Sequence, residues 1–268
     1  MKVKYEIVQQ RRDNIMMLIQ KLGIASVHQL AIEFEISEVT VRRDLEYWEK
    51  RGALQRTHGG AKLIQRMVKA PNSKYNNDRC LHAIAKYAAL LVEDGDTIFI
   101  NTSYTALLMI HYIKAKNCTI ITNNTEATLI QHDDRVNIVL TGGEVMAPKK
   151  SMVGDFALNS IRKVLANKCF LGCSGITAED GITTAIMDET TINEMMLRQT
   201  TGERYIVCDH TKVGLKHNFI SGSLGNIDAL ITDVSANNAE VTKIQKKKVK
   251  VVCLEPLLTI PLEDTEIF

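Results

Sequence analysis

The chain has 268 residues, of which 45% are hydrophobic and 24% charged. This is the composition of a globular protein and lies outside the disordered and membrane classes, and the length favours two domains. The N-terminal segment has no apolar signal-peptide core, and no window approaches the roughly 18 uninterrupted apolar residues of a membrane span. We therefore expect a cytoplasmic protein with no membrane partner.

Charge is divided unevenly along the chain. Residues 1–69 carry 13 Lys and Arg against 8 Asp and Glu, whereas residues 70–268 carry 20 against 23. The formal net charge of +2 therefore conceals a front segment of +5 and a remainder of −3. A localised positive charge indicates a module that binds a polyanion, although a solvated surface alone could also produce it.

The six cysteines show no C-x-x-C spacing of the kind found in zinc sites and redox motifs. Most lie within apolar runs, as expected of buried free thiols in a reducing cytoplasm. His58, a ligand type, has no second ligand nearby in the sequence. We therefore predict no metal site and no cofactor.

The first fifty residues predict three helices. Apolar side chains recur at i, i+3, i+4 and i+7 over residues 15–22 and over residues 27–34. Ser26, with Gln29 three residues later, has the form of a capping box that opens the second helix. The third helix is predicted to start after Ser37.

The third helix has an apolar stripe and an opposite, basic face. Val41, Leu45 and Trp48 form the stripe, and Asp44 at its edge is expected to pair with a neighbouring cation. The following run ALQRTHGGAKLI predicts a β-hairpin. Such a helix-turn-helix with a hairpin wing places its third helix in the major groove of DNA. The residues predicted to contact DNA are Ser37, Thr40, Arg42, Arg43, Tyr47, Lys50, Arg51, Arg56 and His58.

The run SEVTVRRDLEYWEKRGALQRTHGGA at residues 37–61 matches without a gap the pattern S-x-x-T-[IV]-R-R-D-L-x-x-L-x-x-x-G-x-[LI]-x-R-x-H-G-G-A. It resembles the DeoR family of bacterial transcription regulators, with Trp48 in place of the usual leucine. The resemblance implies binding to a double-stranded DNA operator by a homodimer or homotetramer. It also implies a carboxyl-terminal domain that binds a phosphorylated sugar or related metabolite as effector.

Residues 67–77 lose periodicity and hold one proline and three asparagines, which predicts an interdomain linker. The DNA-binding domain would then occupy residues 1–66, and the effector-binding and oligomerisation domain residues 78–268. Helical stretches separate most of the apolar runs after the linker, which predicts a mostly parallel sheet covered on both faces. These runs are DTIFI, CTIITN, VNIVLTGG, KCFLGCSG, RYIVCD, ALITD and VKVVCLE.

The predicted fold class is therefore α/β, with an N-terminal winged helix-turn-helix followed by a mostly parallel α/β sheet domain. The family resemblance adds that this second domain is similar in fold to ribose-phosphate isomerases.

Polar residues follow several of the predicted strands, where ligands of open parallel sheets bind. Residues 101–105 lead directly into a helix, whose N-terminus suits an anion. The resemblance implies that this turn holds the phosphate, that Lys212 is its counter-charge and that polar side chains recognise hydroxyls. Roles as turn or capping residues stay open for many of them. The residues implied to bind the effector are Asn101, Thr102, Ser103, Tyr104, Thr105, Thr122, Asn123, Asn124, Gly142, Gly143, Gly175, Asp180, Glu189, Asp209 and Lys212.

The turn departs from the family pattern D-x-G-T-T. Asn101, Ser103 and Tyr104 occupy its Asp, Gly and first Thr positions, and Leu81 stands where the family commonly has a lysine. A Cβ at position 103 narrows the close approach to the backbone that glycine allows. The absence of the lysine at position 81 weakens phosphate binding by roughly 1 to 3 kcal/mol. The cations considered as compensation are Arg79, His82 and Lys86.

The leading hypothesis is a DNA-binding regulator that represses carbohydrate transport or catabolism genes and responds to a phosphorylated sugar. A sugar-phosphate isomerase using Asp180, Glu189 and Lys212 is the enzyme alternative. A constitutive DNA-binding regulator with a decayed effector pocket is the third, favoured by Leu81, Ser103 and Tyr104. We predict that the chain is not an enzyme, because isomerases do not need a winged helix-turn-helix.

Overall fold

The computed structural model describes residues 8, 11–12, 14–16, 18–19, 24–50, 54–57, 59–63, 73–114, 117–146 and 150–260. The chain divides into two compact units, Met1–Lys74 and Tyr75–Phe268. None of the helices in the described part of the chain has the length and apolar character to cross a membrane.

The first unit is a winged helix-turn-helix. Strand β1 (Ile24–Ser26) precedes helices α1 (Val27–Glu33) and α2 (Glu38–Lys50), and strands β2 (Leu54–Thr57) and β3 (Gly60–Leu63) form the wing. The three strands form an antiparallel sheet in the order β1-β3-β2. The predicted helix after Ser37 and the predicted hairpin are both confirmed.

Apolar side chains at helical spacing form the core of this unit. Ile15 and Ile19 lie in the helical segment that precedes β1, and both are buried. Val41, Leu45 and Trp48 of α2 are buried in the same cluster. The predicted inward stripe of α2 is therefore confirmed, and its opposite face is left to solvent.

Two backbone features fix α1 and the wing. Ser26 caps α1, because its Oγ accepts a hydrogen bond from the Gln29 backbone N–H at 3.0 Å. Gly60 lies where a Cβ would collide with the carbonyl oxygen of Ala25. Gly60 is thus required mainly because β1 approaches its backbone closely, and less because of the hairpin turn.

The second unit contains twelve strands and five α-helices in its described part. The strands are β4 (Thr97–Ile100), β5 (Cys118–Thr122), β6 (Val136–Leu140), β7 (Glu144–Met146), β8 (Ser151–Val153), β9 (Lys168–Leu171), β10 (Gly175–Thr177), β11 (Gly181–Thr184), β12 (Arg204–Val207), β13 (Phe219–Gly222), β14 (Ala229–Asp233) and β15 (Lys250–Leu254). The helices are α3 (Ser73–Leu90), α4 (Tyr104–Tyr112), α5 (Asp155–Arg162), α6 (Met187–Arg198) and α7 (Asn238–Lys246), with 3-10 turns η1 (Thr125–Leu129), η2 (His210–Lys212) and η3 (Leu224–Asn226).

All seven predicted apolar runs form one parallel sheet in the order β15-β14-β12-β9-β4-β5-β6. Ile98 and Ile100 of β4 belong to one buried cluster, while Phe99 between them belongs to a second cluster. Successive side chains of a strand point to opposite faces, so both faces of the sheet are covered. The mostly parallel α/β prediction is therefore confirmed.

The strand order reverses between β4 and β9. From β4 the chain proceeds outward through β5 and β6, and from β9 it proceeds the other way through β12, β14 and β15. In such sheets ligands bind in the crevice beyond the carboxyl ends of the strands at this reversal. The turns after β4 and β9 therefore flank the expected ligand crevice.

Three features differ from the sequence prediction or add to it. Helix α3 begins at Ser73, so residues 73–77, predicted as linker, are helical; no proline or glycine follows Pro71 there to prevent it. A three-stranded antiparallel sheet, β10-β11-β13, and a β7–β8 hairpin were not predicted. Residues 67–72 lie outside the described part of the chain.

Candidate functional sites

The solvent face of α2 carries two adjacent arginines. Arg42 and Arg43 are both exposed. Arg42 forms an ion pair with Glu38 one turn earlier at 3.2 Å, whereas Arg43 forms no ion pair with another described residue. An unpaired guanidinium loses no protein partner on meeting DNA, so Arg43 is the better placed of the two to contact it.

Ser37 and Thr40 are joined at the start of α2. Ser37 Oγ accepts the Thr40 backbone N–H at 3.2 Å, and the two hydroxyl oxygens are 2.9 Å apart. Ser37 is therefore occupied in capping the helix. Both side chains are at least partly accessible to solvent. They lie at the N-terminus of α2, and a helix N-terminus favours binding of a phosphate.

A buried carboxylate anchors α2 to the segment before β1. Asp44 is 1% exposed and accepts hydrogen bonds from Arg11 Nε at 2.7 Å and Arg12 Nε at 2.9 Å. The predicted pairing of Asp44 with cations is confirmed. The Arg12 guanidinium also lies 4.1 Å from the centroid of the Tyr47 ring. Tyr47, predicted to lie on the face opposite the apolar stripe and to contact DNA, is partly buried and makes this contact with Arg12.

The wing contributes Arg56, which is exposed on β2. Its side chain pairs with Glu49 at 3.5 Å, and its backbone N–H donates to the same carboxylate at 3.1 Å. Of the other predicted DNA contacts, the Lys50 side chain, Arg51 and His58 lie outside the described residues.

In the second unit, a cavity of about 800 Å³ opens at the crevice where the strand order reverses. It is lined by Leu81, Asn101, Thr102, Ser103, Tyr104, Thr105, Glu126, Lys150, Gly172, Cys173, Ser174, Thr184, Glu189, Asn193, Val207, Cys208, Asp209, Lys212, Leu215 and His217. Eight of the residues predicted to bind the effector are among them: Asn101, Thr102, Ser103, Tyr104, Thr105, Glu189, Asp209 and Lys212.

Asn101 ties the two strands at the reversal together. Its Nδ2 donates to the Gly172 carbonyl and to Asn193 Oδ1, both at 2.9 Å. Its Oδ1 accepts the backbone N–H of Gly172 at 2.9 Å and of Ser103 at 3.2 Å. Asn101 is buried and both of its polar atoms are occupied, so it shapes the cavity wall and leaves ligand contacts to its neighbours.

Ser103 caps α4, and its side chain leaves room only for glycine at position 172. Its Oγ accepts the Ala106 backbone N–H at 3.5 Å. A Cβ at Gly172 would collide with the Ser103 side chain. The Cβ at position 103 is thus accommodated because a glycine, Gly172, follows the adjacent strand β9.

Two carboxylates of the cavity are held by hydroxyl groups. Thr184 Oγ1 donates to Glu189 at 2.6 Å, and Thr102 lies 3.4 Å from the same carboxylate. Asp209 accepts the Thr211 hydroxyl and also the Thr211 backbone N–H, the latter at 2.7 Å. Hydrogen bonds from neutral donors leave both groups able to accept further bonds from ligand hydroxyls.

The cations of the cavity are Lys150 and Lys212. Lys150 is ion-paired with Glu126, which lines the same cavity. Lys212 forms no ion pair with any other described residue. Because Lys212 and the N-terminus of α4 line one cavity, an anion would meet a full positive charge and a positive helix end together.

Seven predicted effector residues do not line the cavity. Thr122, Asn123 and Asn124 are buried: Asn123 Nδ2 donates to the Met152 carbonyl at 3.1 Å, and Asn124 Oδ1 caps η1 by accepting the Glu126 N–H at 2.9 Å. They therefore support the turn that carries Glu126.

The remaining four also have structural roles. Gly142 and Gly143 have φ of +73° and +118° in the turn between β6 and β7, which favours glycine. Gly175 lies where a Cβ would collide with the Leu215 backbone. Asp180 forms an ion pair with Lys216 at 2.8 Å, and this contact lowers the pKa of its carboxyl group.

Two family models match the chain. Residues 11–67 match the DeoR-like helix-turn-helix domain, and residues 79–234 match the DeoR C terminal sensor domain. Together they cover most of the sequence. The chain belongs to the DeoR family of transcriptional regulators.

Curated DeoR relatives are similar along nearly their whole length. The HTH-type transcriptional regulator GolR of Listeria innocua is 30% identical over 244 residues, covering 88% of this chain and 94% of that protein. The lactose phosphotransferase system repressor of Staphylococcus aureus is 31% identical over 232 residues, covering 84% and 91%. Because the relatives are named regulators and repressors, the isomerase alternative is abandoned: the protein is a DNA-binding regulator and not an enzyme.

Solved structures are more remote. Ribose 5-phosphate isomerase A of Methanocaldococcus jannaschii is 16% identical with a TM-score of 0.35, over 51% of this chain and 54% of that one. Subunit delta of the translation initiation factor eIF-2B of A. fulgidus is 13% identical with a TM-score of 0.42, over 78% and 68%. These likenesses carry no argument about ligand or reaction.

The cavity in the domain that matches the DeoR sensor model contains a cation that was not predicted from the sequence. Arg79, His82 and Lys86, considered as compensation for Leu81, do not line the cavity. Arg79 instead donates to the Leu257 carbonyl, and His82 Nδ1 lies 2.6 Å from a tyrosine hydroxyl. Lys150 lines the cavity in their place, beside the short strands β7 and β8, whose residues give no periodic signal.

Proposed function

We propose that this DeoR regulator represses genes of carbohydrate transport or catabolism and is controlled by a phosphorylated sugar or related metabolite. The observation that carries the proposal is the cavity at the strand reversal, where Lys212 and the N-terminus of α4 meet Glu189 and Asp209. Cationic and helix-end groups suit a phosphate, and carboxylates suit sugar hydroxyls. The name of the lactose phosphotransferase system repressor supports the carbohydrate part.

We place DNA binding in residues 1–66, and effector binding and oligomerisation in residues 78–268. The two compact units, Met1–Lys74 and Tyr75–Phe268, support this division. The active form would be a homodimer or homotetramer, which matches repeated half-sites in DNA. The effector acts by binding the DNA-competent and DNA-incompetent states unequally.

The test is a DNA-binding titration of the full chain on the promoter regions next to its own gene. Fluorescence anisotropy is recorded with and without a panel of sugar phosphates, with the matching unphosphorylated sugars as controls. We expect at least one sugar phosphate to change DNA affinity by about 5- to 150-fold, the usual range of allosteric coupling.

Lys212→Ala should weaken that response, because it removes the unpaired cation of the cavity. The matched control is Lys247→Ala, since Lys247 is exposed at the end of α7 and does not line the cavity. An intact response in Lys212→Ala would contradict the assigned counter-charge. If no sugar phosphate alters DNA affinity or thermal stability, the regulator is constitutive with respect to these ligands and the effector part of the proposal fails.

A further inference from the structure

Three side chains that could bind a metal ion converge beside the cavity. Cys80 of α3, His210 of η2 and Asp233 at the end of β14 each offer one ligand atom, and these atoms lie within 4.8 Å of one another. His210 Nδ1 lies 3.0 Å from the Asp233 carboxylate. We propose that these three residues form a binding site for a divalent transition-metal ion, with Zn²⁺ best suited to the donor set.

The donor set decides the class of ion. A sulfur, an imidazole nitrogen and a carboxylate oxygen are the three ligand types of zinc sites, whereas Ca²⁺ and Mg²⁺ require oxygen ligands. Tetrahedral coordination at about 2.0 to 2.3 Å places ligand atoms roughly 3.3 to 3.6 Å apart. The ligand atoms, 3.0 Å apart between His210 and Asp233 and within 4.8 Å overall, therefore need shifts of about 1 Å to surround an ion.

Burial and charge also favour a cation. Cys80 and Asp233 are both 0% exposed, and the Cys80 thiol lies beside the Asp233 carboxylate. A divalent ion suits this pair, because one thiolate and one carboxylate neutralise its two charges. On binding, Cys80 releases its thiol proton to solvent and the metal–sulfur bond replaces the hydrogen bond to Asp233.

The site connects two elements of the cavity wall, α3 and η2, to the end of β14. Leu81, next to Cys80, and Asp209, next to His210, line the cavity, as does Lys212 at the other end of η2. A metal ion joining α3, η2 and β14 would hold the turn that carries Lys212. Three protein ligands leave a fourth coordination position open. The inference rests on this geometry and is independent of the effector.

The experiment uses the full chain after treatment with EDTA. Co²⁺ is titrated as a spectroscopic probe, and Zn²⁺ affinity is measured by competition with a chromogenic chelator. We expect one ion per chain, a thiolate-to-metal charge-transfer absorption band with Co²⁺, and a higher unfolding temperature with Zn²⁺. Failure of the wild-type chain to bind either ion overturns the proposal and leaves a hydrogen-bonded cluster.

Cys80→Ser should abolish the charge-transfer band and lower Zn²⁺ affinity at least tenfold. Cys253→Ser is the matched control, because Cys253 is exposed, and Cys173→Ser tests one of the two thiols that line the cavity. A band that survives Cys80→Ser, or disappears in Cys173→Ser, contradicts the site. Should circular dichroism show that Cys80→Ser is misfolded, His210→Ala decides: this residue is partly exposed, and its loss should lower affinity while the thiolate band persists.

Discussion

Asn101 and Gly172 are joined by two hydrogen bonds across the point where the strand order of the sheet reverses. The Asn101 amide donates to the Gly172 carbonyl and accepts the Gly172 N–H, each at 2.9 Å. This pair closes the floor of the cavity between the carboxyl ends of β4 and β9. It requires a side chain that both donates and accepts, which a carboxylate at position 101 would not provide.

Asn101→Asp should destabilise the sensor domain. The substitution replaces the buried donor by an acceptor and leaves the Gly172 carbonyl unpaired, which we expect to cost about 1 to 3 kcal/mol of unfolding free energy. Urea unfolding followed by circular dichroism measures it. Asn218→Asp, the same change at an exposed position, is the control. Equal midpoints for the two variants would show that the amide is not needed.

Gly172 and Ser103 should be energetically coupled. Gly172→Ala places a methyl group against the Ser103 side chain, so we expect a loss of about 1 to 3 kcal/mol of stability. Adding Ser103→Gly removes the obstacle and should restore part of that loss. A double-mutant cycle in urea measures the coupling, expected at about 0.5 to 3 kcal/mol. Additive effects would refute the steric explanation.

Asp44 should hold α2 in the helix-turn-helix. Asp44→Asn leaves Arg11 and Arg12 without their buried carboxylate, and we expect about 1 to 3 kcal/mol less local stability because both arginines are partly exposed. Hydrogen exchange of the α2 amides should accelerate while exchange in the parallel sheet stays unchanged. Glu33→Gln, an exposed change on α1, should leave both rates alone. Unaltered exchange of α2 in Asp44→Asn would argue against this anchor.

The edge of the sheet at β6 carries exposed apolar side chains suited to a subunit contact. Leu140 on β6, Val145 and Met146 on β7 and Phe156 on α5 are all exposed within the single chain, Phe156 by 81%. Large exposed apolar surfaces mark association sites. Phe156→Glu should therefore shift the protein toward a smaller oligomer in light scattering after gel filtration, whereas Leu90→Glu at the end of α3 should not. An unchanged mass would place the subunit interface elsewhere.

Much of the fold was predictable because local patterns determine it. Helical spacing identified the buried residues of α2, and continuous apolar runs identified the seven parallel strands. The order of those strands was not predictable, since it depends on long-range pairing. Polar residues after β4 and β12, such as Thr102 and Asp209, line the cavity, while similar residues after β5 and β6, such as Asn123 and Thr141, do not. Only the strand order separates these two groups.

Contacts between residues from distant segments could not be predicted either. Lys150 joins the cavity next to a three-residue strand, too short to show a period. Cys80, His210 and Asp233 are far apart in sequence, so the spacing rules that recognise zinc motifs do not apply to them. Tyr47 was predicted to lie on the open face of α2. Helical spacing does not reveal its contact with Arg12, because Arg12 lies in another segment.

We expect α2 and the wing to bind DNA, and the most direct test is the salt dependence of DNA affinity for single arginine variants. We expect log K to fall with log salt by about 0.9 for each phosphate neutralised. Arg43→Ala should lose about 1 to 3 kcal/mol of binding free energy at the preferred DNA site and relax the base preference. Arg56→Ala should weaken binding to all DNA sequences equally and reduce the slope of log K against log salt by about 1. Arg198→Ala, an exposed arginine of the sensor domain, should bind as the wild type does. A flat salt dependence, or an Arg43→Ala variant that binds DNA like the wild type, would contradict the account.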